Sequence, residues 1–506
     1  MSYSASLTAC ELSSLEGAVV VKYFRVVYVL AFLLGCRFAA TADFRRTNAA
    51  LDRRMYKPRQ MACCTAECSE NSSCTCGNFG NFMIGNGNTT PWQVTASGFR
   101  SGSGVPGTIT WSIVPDGTFV PDVSNGGPVR PSNLNDFLST TFPGGVTGEA
   151  LIAQSFNRWD ELSGLSFVRE FNDDGSAFSN FITNGVLGVR GDIRIGGRVG
   201  DGPGGTLAAN FFPDAGADMI IDTSEASFLG RSNNNFRTFR NVIMHELGHA
   251  MGIDHVGSTS DALLLEPSIN LSFDGPQLDE VRAVQFFFGD AFEETNNGLG
   301  NDTVPTATDL GSISPSGTID IGTDADVPTQ AISPTATDFV SISGEDDVDV
   351  YSFTVTSSSS IDIVLTPLGG VFAQGTEPNF DANSRVDLAL SVFDSDGQSL
   401  LASSDQLGLG GTETLSSIIL DPGTYFTQIT GVEDTIQLYS LELTAAPTVL
   451  KGDLDLNGEV GFSDIPPFIG ALISGVFQAE ADVNCDTVVS FADIPLFIAI
   501  LTELEQ

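Results

Sequence analysis

All three histidines of the chain stand within residues 245–255, in the run His245-Glu246-Leu247-Gly248-His249-Ala250-Met251-Gly252-Ile253-Asp254-His255. On a helix, His245 and His249 lie one turn apart on the same face, so both imidazoles can reach one ion, with Glu246 projecting beside them. Gly252 lets the chain turn sharply and bring His255 round as a third ligand. Three neutral nitrogen donors leave the fourth tetrahedral position of a zinc ion open to water, whose pKa falls toward neutrality on the metal. The pattern predicts a hydrolytic centre with one catalytic zinc on His245, His249 and His255 and with Glu246 as general base. The bland alternative is three ordinary histidines on an ordinary helix. H-E-x-x-H alone is moderately specific, and the added G-x-x-H makes a chance match improbable.

These ligands need a rigid element behind them, and the apolar spacing predicts a helix over residues 236–250. Upstream, I-T-W-S-I-V within residues 108–114 reads as a strand. Residues 149–162 carry Ile152, Phe156 and Trp159 at helical spacing, and residues 165–168 return to strand. Short strands are expected at 193–195, 206–209 and 219–221. Helix after strands, with the metal on the last helix, indicates an α+β layout.

Residues 105–290 resemble a matrixin-type metzincin peptidase. Asp201-Gly202-Pro203-Gly204-Gly205-Thr206-Leu207-Ala208 is similar to that family's calcium loop and edge strand. The resemblance implies a structural calcium held by the side chains of Asp201, Asp222 and Glu225 and the carbonyls of Gly202, Gly204 and Thr206, all oxygen donors as calcium requires. It also implies that a substrate strand pairs with the edge at Gly205, Leu207, Ala208 and Ala209. A Gly-rich turn with surface acids is the plainer alternative for the loop. Two departures stand out. Ala209 and Ile220 occupy the places where matrixins carry histidines for a second, structural zinc, so that zinc is not expected. In Leu263-Leu264-Leu265-Glu266-Pro267, Leu265 replaces the methionine that underlies the catalytic metal, a swap of similar volume. Residues 278–289 resemble the family's closing helix.

Beyond residue 290 the composition shifts. From there on only Arg385 and Lys451 are basic, and Ser, Thr, Gly and Asp dominate. Alternating runs such as Val350-Tyr351-Ser352-Phe353-Thr354-Val355 indicate a β-sandwich. Residues 344–351 and 421–425 look like the pre-peptidase C-terminal domain of secreted bacterial proteases. Near the end, Asp453, Asp455, Asn457 and Asp464 recur as Asp482, Asn484, Asp486 and Asp493, an offset of 482 − 453 = 29. Each set places oxygen ligands at positions 1, 3, 5 and 12 of an EF-hand-like loop, with Glu459 and Val488 offering carbonyls at position 7. A proline in the first turn of the helix follows each loop. This repeat resembles a dockerin module, which implies structural calcium and a cohesin-like docking partner. Thr487 stands where the glycine of position 6 is expected, so the second loop should be the weaker.

A chain of 506 residues is too long for one core. Five parts are expected: a signal region (1–42), a propeptide or Cys-rich linker (43–90), a peptidase domain (91–290), a sandwich (291–447) and a dockerin-like module (448–506). The fold class is therefore multidomain: an α+β metzincin-like catalytic domain, an all-β sandwich and a small helical calcium-binding module. Lys22 and Arg25 precede an apolar run ending near Leu34, and Ala40-Thr41-Ala42 offers a cleavage site. That run is too short to span a bilayer, so no integral membrane span is expected. Export to the cell surface or medium follows, with lipid attachment at Cys36 as the lesser alternative. Cys63, Cys64, Cys68, Cys74 and Cys76 cluster behind the leader. Local disulfides would leave one thiol over, and that thiol could cap the metal in a latent precursor. With 22 basic against 63 acidic residues, the net charge of −41 argues against nucleic acid or anionic membrane as partner. The reading is a secreted zinc endopeptidase acting on protein substrates. Its rivals are an inactive metzincin-fold scaffold for surface assembly or adhesion, and a zinc hydrolase acting on something other than peptides.

Overall fold

The computed structural model describes residues 61–65 and 92–503, apart from 123–127, 143–144, 179–183, 257–261, 328, 373–379 and 449. The leader, Cys36, Cys68, Cys74 and Cys76 lie outside the described residues. Everything below concerns the unit Gln60–Gln506.

Its first core is a six-stranded sheet of β1 (Met61–Thr65), β2 (Gly107–Ile113), β3 (Leu165–Arg169), β4 (Ile193–Arg198), β5 (Thr206–Phe211) and β6 (Met219–Asp222), in the order β1-β5-β6-β4-β2-β3. Strands β3, β2, β4 and β6 run parallel, β5 is antiparallel to β6, and β1 is antiparallel to β5. Every residue of β4, β5 and β6 is buried, as expected of strands covered on both faces. Helices α1 (Leu134–Thr141), α2 (Gly148–Asp160), α3 (Asn233–Ala250) and α4 (Leu278–Phe288) complete the layer. Helix α2 opens on Thr147, whose hydroxyl accepts from Ala150 N–H at 3.1 Å. Its Trp159 is fully buried and donates from Nε1 to the Met244 carbonyl at 3.0 Å, which fixes α2 against α3. Trp92 does the same at the other end of α3, donating to the Ala250 carbonyl at 3.0 Å.

The expected strands and helices are present within a few residues, with three corrections. Asn234, Asn235 and Phe236 hold φ of 50–57°, so regular geometry in the metal helix begins at Arg237 rather than at 236. Helix α2 crosses between the parallel strands β2 and β3 and α4 follows α3, both where helices were expected, so the metal helix is not the last one of this layer. Neither α1 nor β1 was foreseen.

The second core is a sandwich. One sheet runs β8-β16-β11-β14, from Thr318–Ile321 (β8), Ser359–Leu368 (β11), Glu413–Leu420 (β14) and Gln437–Pro447 (β16), with Val340–Ile342 (β9) also pairing β16. The facing sheet runs β13-β12-β15-β10-β7, from Thr308–Ile313 (β7), Val348–Val355 (β10), Leu388–Phe393 (β12), Leu400–Ser404 (β13) and Gly423–Gly431 (β15). The period of two seen in the sequence puts Phe353 and Val355 from one sheet against Ile361, Ile363, Leu441 and Leu443 from the other.

Two short helices, α5 (Ile465–Ser474) and α6 (Ile494–Glu503), close the chain, each behind an acidic loop. Phe468 and Phe497 stack at 4.0 Å between them. The two loops are built alike. Asp453 receives the N–H groups of Asn457 and Gly458, and Asp482 receives those of Asp486 and Thr487. Asp464 and Asp493, both fully buried, reach back to N–H groups at the start of their own loops. Position 6 requires φ of +88° at Gly458 and +67° at Thr487.

Candidate metal centre

The three imidazoles meet at one point. Nε2 of His245 lies 3.0 Å from Nε2 of His249 and 3.2 Å from that of His255, and the last two are 3.2 Å apart. On the far side of each of two rings, Nδ1 lies 2.7 Å from a main-chain carbonyl, Leu264 for His245 and Ile253 for His249. A carbonyl only accepts, so both Nδ1 atoms carry the proton and both Nε2 atoms are bare lone pairs facing each other. Burial drives His245 down to about 4 and His249 and His255 well below the ordinary imidazole range, so the rings are neutral at pH 7. Converging bare lone pairs repel unless a cation lies between them. Tetrahedral zinc with Zn–N of about 2.0–2.1 Å places its ligand atoms roughly 3.3 Å apart, close to the separations here. The donor set fits zinc, with the carbonyls holding the rings in the ligating tautomer.

The local sequence explains how the third ring arrives. Helix α3 ends in a Schellman motif: Gly252 N–H donates to the His249 carbonyl at 3.0 Å and Ile253 N–H to the Gly248 carbonyl at 2.9 Å. Gly252 sits at φ +98°, which turns the chain back toward the helix. A left-handed conformation costs a residue with a side chain about 1–2 kcal/mol. Gly252→Ala is therefore expected to weaken zinc about tenfold, measured by competition with a chelating dye, with the remainder of the fold intact.

Leu265 lies beneath the ligands. A Cβ at Gly248 would meet Leu265 Cδ2 at 2.7 Å, so the two residues fit each other between His245 and His249. Val256 N–H donates to the Leu265 carbonyl at 3.0 Å, and Leu265 N–H donates to Glu280 Oε1 at 3.2 Å. Glu280 also receives Gln277 N–H at 2.8 Å, and burial pushes it up to about 8. Glu246 is wholly buried beside His245.

The edge strand departs from expectation. The outer side of β5 was expected to be open to substrate, and the chain's own β1 occupies it, with Ala62 opposite Asn210, Cys63 opposite Ala209 and Cys64 opposite Ala208. An unpaired edge leaves a row of N–H and C=O groups unsatisfied, and a segment already tethered to the molecule fills it readily. Strand β1 also touches the metal helix α3. Nothing in the Cys-rich composition signalled a strand there. Gly205 lies before the strand, its N–H 3.3 Å from Glu225 Oε1, in the acidic loop rather than on the edge.

The carboxylates of that loop cap its main chain, and unlike the three histidines they do not bring three ligand atoms within 4.8 Å of one another. Glu225 accepts the Gly204 N–H, Asp201 accepts Thr206 N–H at 3.1 Å, and Asp222 accepts Gly200 N–H at 2.9 Å. Asp222 Oδ2 is buried without a partner, and burial with the Asp222 and Asp201 charges raises Glu225. Ala209 and Ile220 are cross-strand neighbours in an apolar cluster with Val114, Val120, Phe178 and Phe211. In the terminal module, Asp453, Asp455 and Asp464 bring ligand atoms within 4.8 Å of one another.

The Matrixin family model matches residues 144–289, and that of the Bacterial pre-peptidase C-terminal domain matches residues 347–431. Interstitial collagenase of Sus scrofa is 33% identical over 144 residues, 27% of this chain and 27% of that protein. Matrix metalloproteinase-20 of Homo sapiens is 29% identical over 184 residues, 34% of this chain and 35% of the relative. The chain thus spans about a quarter to a third of the length of the relatives it matches. Among solved structures, the pre-peptidase C-terminal domain of a collagenase from Bacillus anthracis aligns with 28% of this chain and 95% of its own, at 18% identity and a TM-score of 0.17. No helix among the described residues is long and apolar enough to cross a membrane. The chain therefore carries a matrixin domain at residues 144–289 followed by a pre-peptidase C-terminal domain at residues 347–431.

Proposed function

We propose that the chain is an exported zinc-dependent endopeptidase, with His245, His249 and His255 as zinc ligands and Glu246 as the catalytic residue. One observation carries the reading: bare Nε2 atoms of two rings locked by carbonyls, buried 3.0 Å apart with a carboxylate on the next residue. Bound zinc would polarise the scissile carbonyl and lower the pKa of water. Glu246 takes the proton from the attacking water and delivers it to the leaving amine. The substrate lies antiparallel along β5 at Leu207, Ala208 and Ala209, where main-chain hydrogen bonds grip an extended chain of any sequence. Strand β1 supports that mode, because it engages the same edge in the antiparallel sense.

Cleavage of an unfolded protein by the purified chain, abolished by chelation and restored by zinc, is the expected result. An intact fold holding zinc without cleavage would favour the inactive scaffold. Cleavage of small esters but no peptides would favour the other hydrolase.

Around this centre, Asp201, Asp222 and Glu225 hold a structural calcium with the carbonyls of Gly202, Gly204 and Thr206. Residues 1–42 export the chain, 43–90 form a propeptide or linker, 91–290 the peptidase, and 291–447 a sandwich behind it. Residues 448–506 form a dockerin-like module with two calcium loops, at Asp453, Asp455, Asn457, Glu459 and Asp464 and at Asp482, Asn484, Asp486, Val488 and Asp493. Its helices expose Ile469, Ile473, Leu496 and Ile498, an apolar surface suited to a cohesin-like partner. Thr487 holds a left-handed conformation that glycine adopts without strain. Thr487→Gly is therefore expected to tighten calcium at the second loop several-fold in titration calorimetry, leaving the first loop unchanged.

A further inference from the structure

The sequence of α4 includes Asp279, Glu280, Arg282 and Gln285, side chains that a helix closing a free domain would leave in water. All four are buried, and of the whole helix only Phe286 is less than buried. The cover is the sandwich. Leu162, Leu278 and Val281 of the peptidase share one apolar cluster with Ile332, Phe339 and Leu438 of the sandwich. Leu278 N–H donates to the Gln330 carbonyl at 3.1 Å, and Gln285 Nε2 donates to the carbonyls of Leu162 and Phe339 at 3.0 and 3.3 Å. Arg282 lies 5.1 Å from the centre of the Phe380 ring. The segment 330–339, which leads into β9, thus packs on α4 as closely as α4 packs on its own domain.

Gln277, fully buried at the start of α4, joins that cover to the metal centre. Its Oε1 accepts Ile332 N–H from the sandwich at 3.2 Å, and its Nε2 donates to the Gly275 and Pro276 carbonyls at 2.8 and 3.0 Å. Its own N–H donates to one oxygen of Glu280, whose other oxygen takes Leu265 N–H, and the carbonyl of the adjoining Leu264 holds His245 Nδ1. Each link joins buried groups, so a shift at one end leaves the next donor or acceptor without its partner. We propose that the sandwich is a working part of the metal centre: its segment 330–339 clamps α4 through Gln277, a positioning residue, and so holds the turn at Leu264 and Leu265 beneath the zinc ligands. That role presupposes the zinc reading of His245, His249 and His255. The catalytic unit then extends past residue 290 into the sandwich.

The test uses the full chain carrying Glu246→Ala to prevent self-digestion, with Phe339→Ala or Gln277→Met added at the clamp and Ile363→Ala, inside the sandwich, as control. Phe339→Ala and Gln277→Met are each expected to weaken zinc about tenfold in competition with a chelating dye, and to speed amide exchange in residues 263–266 by a similar factor. Exchange in strands 361–365 and 441–443 should stay as in the parent. Ile363→Ala also opens a cavity in the sandwich, and it should change neither zinc affinity nor exchange in 263–266. A contact that served stability alone would move neither readout in any variant. Should Phe339→Ala fail to fold, the milder Phe339→Leu carries the test with the same signs. Parent-like zinc affinity and exchange in the folded clamp variants, or equal losses in Ile363→Ala, would overturn the proposal. A parent chain that holds no zinc would sink the peptidase reading instead, and exchange in 263–266 would still decide whether the sandwich holds the turn.

Discussion

Replacing Glu246 with alanine is expected to lower kcat by about 10²–10⁴-fold while leaving one zinc bound with unchanged affinity. The two readouts separate because the three imidazoles are positioned without Glu246. The Leu264 and Ile253 carbonyls orient two of the rings, and the turn at Gly252 delivers the third. The glutamate's part is to move a proton, which the metal cannot do alone. A variant that still cleaves near the parent rate would remove Glu246 from the mechanism. Loss of zinc along with activity would instead make it a structural prop of the ligand helix.

Freeing β1 should have the opposite sign. The strand covers the Thr206–Phe211 edge from within the same molecule, where its effective concentration is on the order of millimolar. Any substrate strand must displace it. Nicking the chain at a protease site inserted between residues 66 and 91 and washing away the N-terminal piece is expected to raise kcat/KM by about tenfold or more, mostly through KM. The reason lies in competition: a departing strand changes how many sites are open, whereas an open site works as before. Equal KM before and after the nick would mean that the substrate does not use this edge.

Local chemistry was legible in the sequence; long-range pairing was not. The spacing of His245, His249 and His255 around Gly252 dictates its own geometry, because helix periodicity and one left-handed glycine suffice to close the site. The doubled acidic loop was readable for the same reason, each loop being a self-contained run of short-range hydrogen bonds. The place of Leu265 came from the resemblance to matrixins rather than from any local pattern, and its side chain packs against Gly248 of the metal helix. Strand β1 pairs with residues about 145 positions away, and its Cys-rich composition carries no periodic signal. Parallel pairing of β2, β3, β4 and β6 was hidden likewise, since short buried strands look alike whichever way their neighbours run.

The covered edge bears on how such a protein can be stored and handled. With β1 in place, the outer side of β5 ends in satisfied peptide groups, and the edge of the sheet passes to the five residues of β1. Once β1 leaves, the same six residues will accept any extended segment, and in a concentrated preparation the commonest such segment belongs to another copy. The freed protein must then rely on colloidal repulsion, which a net charge of −41 supplies in dilute buffer. Salt at about 0.1 M shortens the reach of that repulsion to roughly 10 Å, so shelf life becomes a matter of ionic strength.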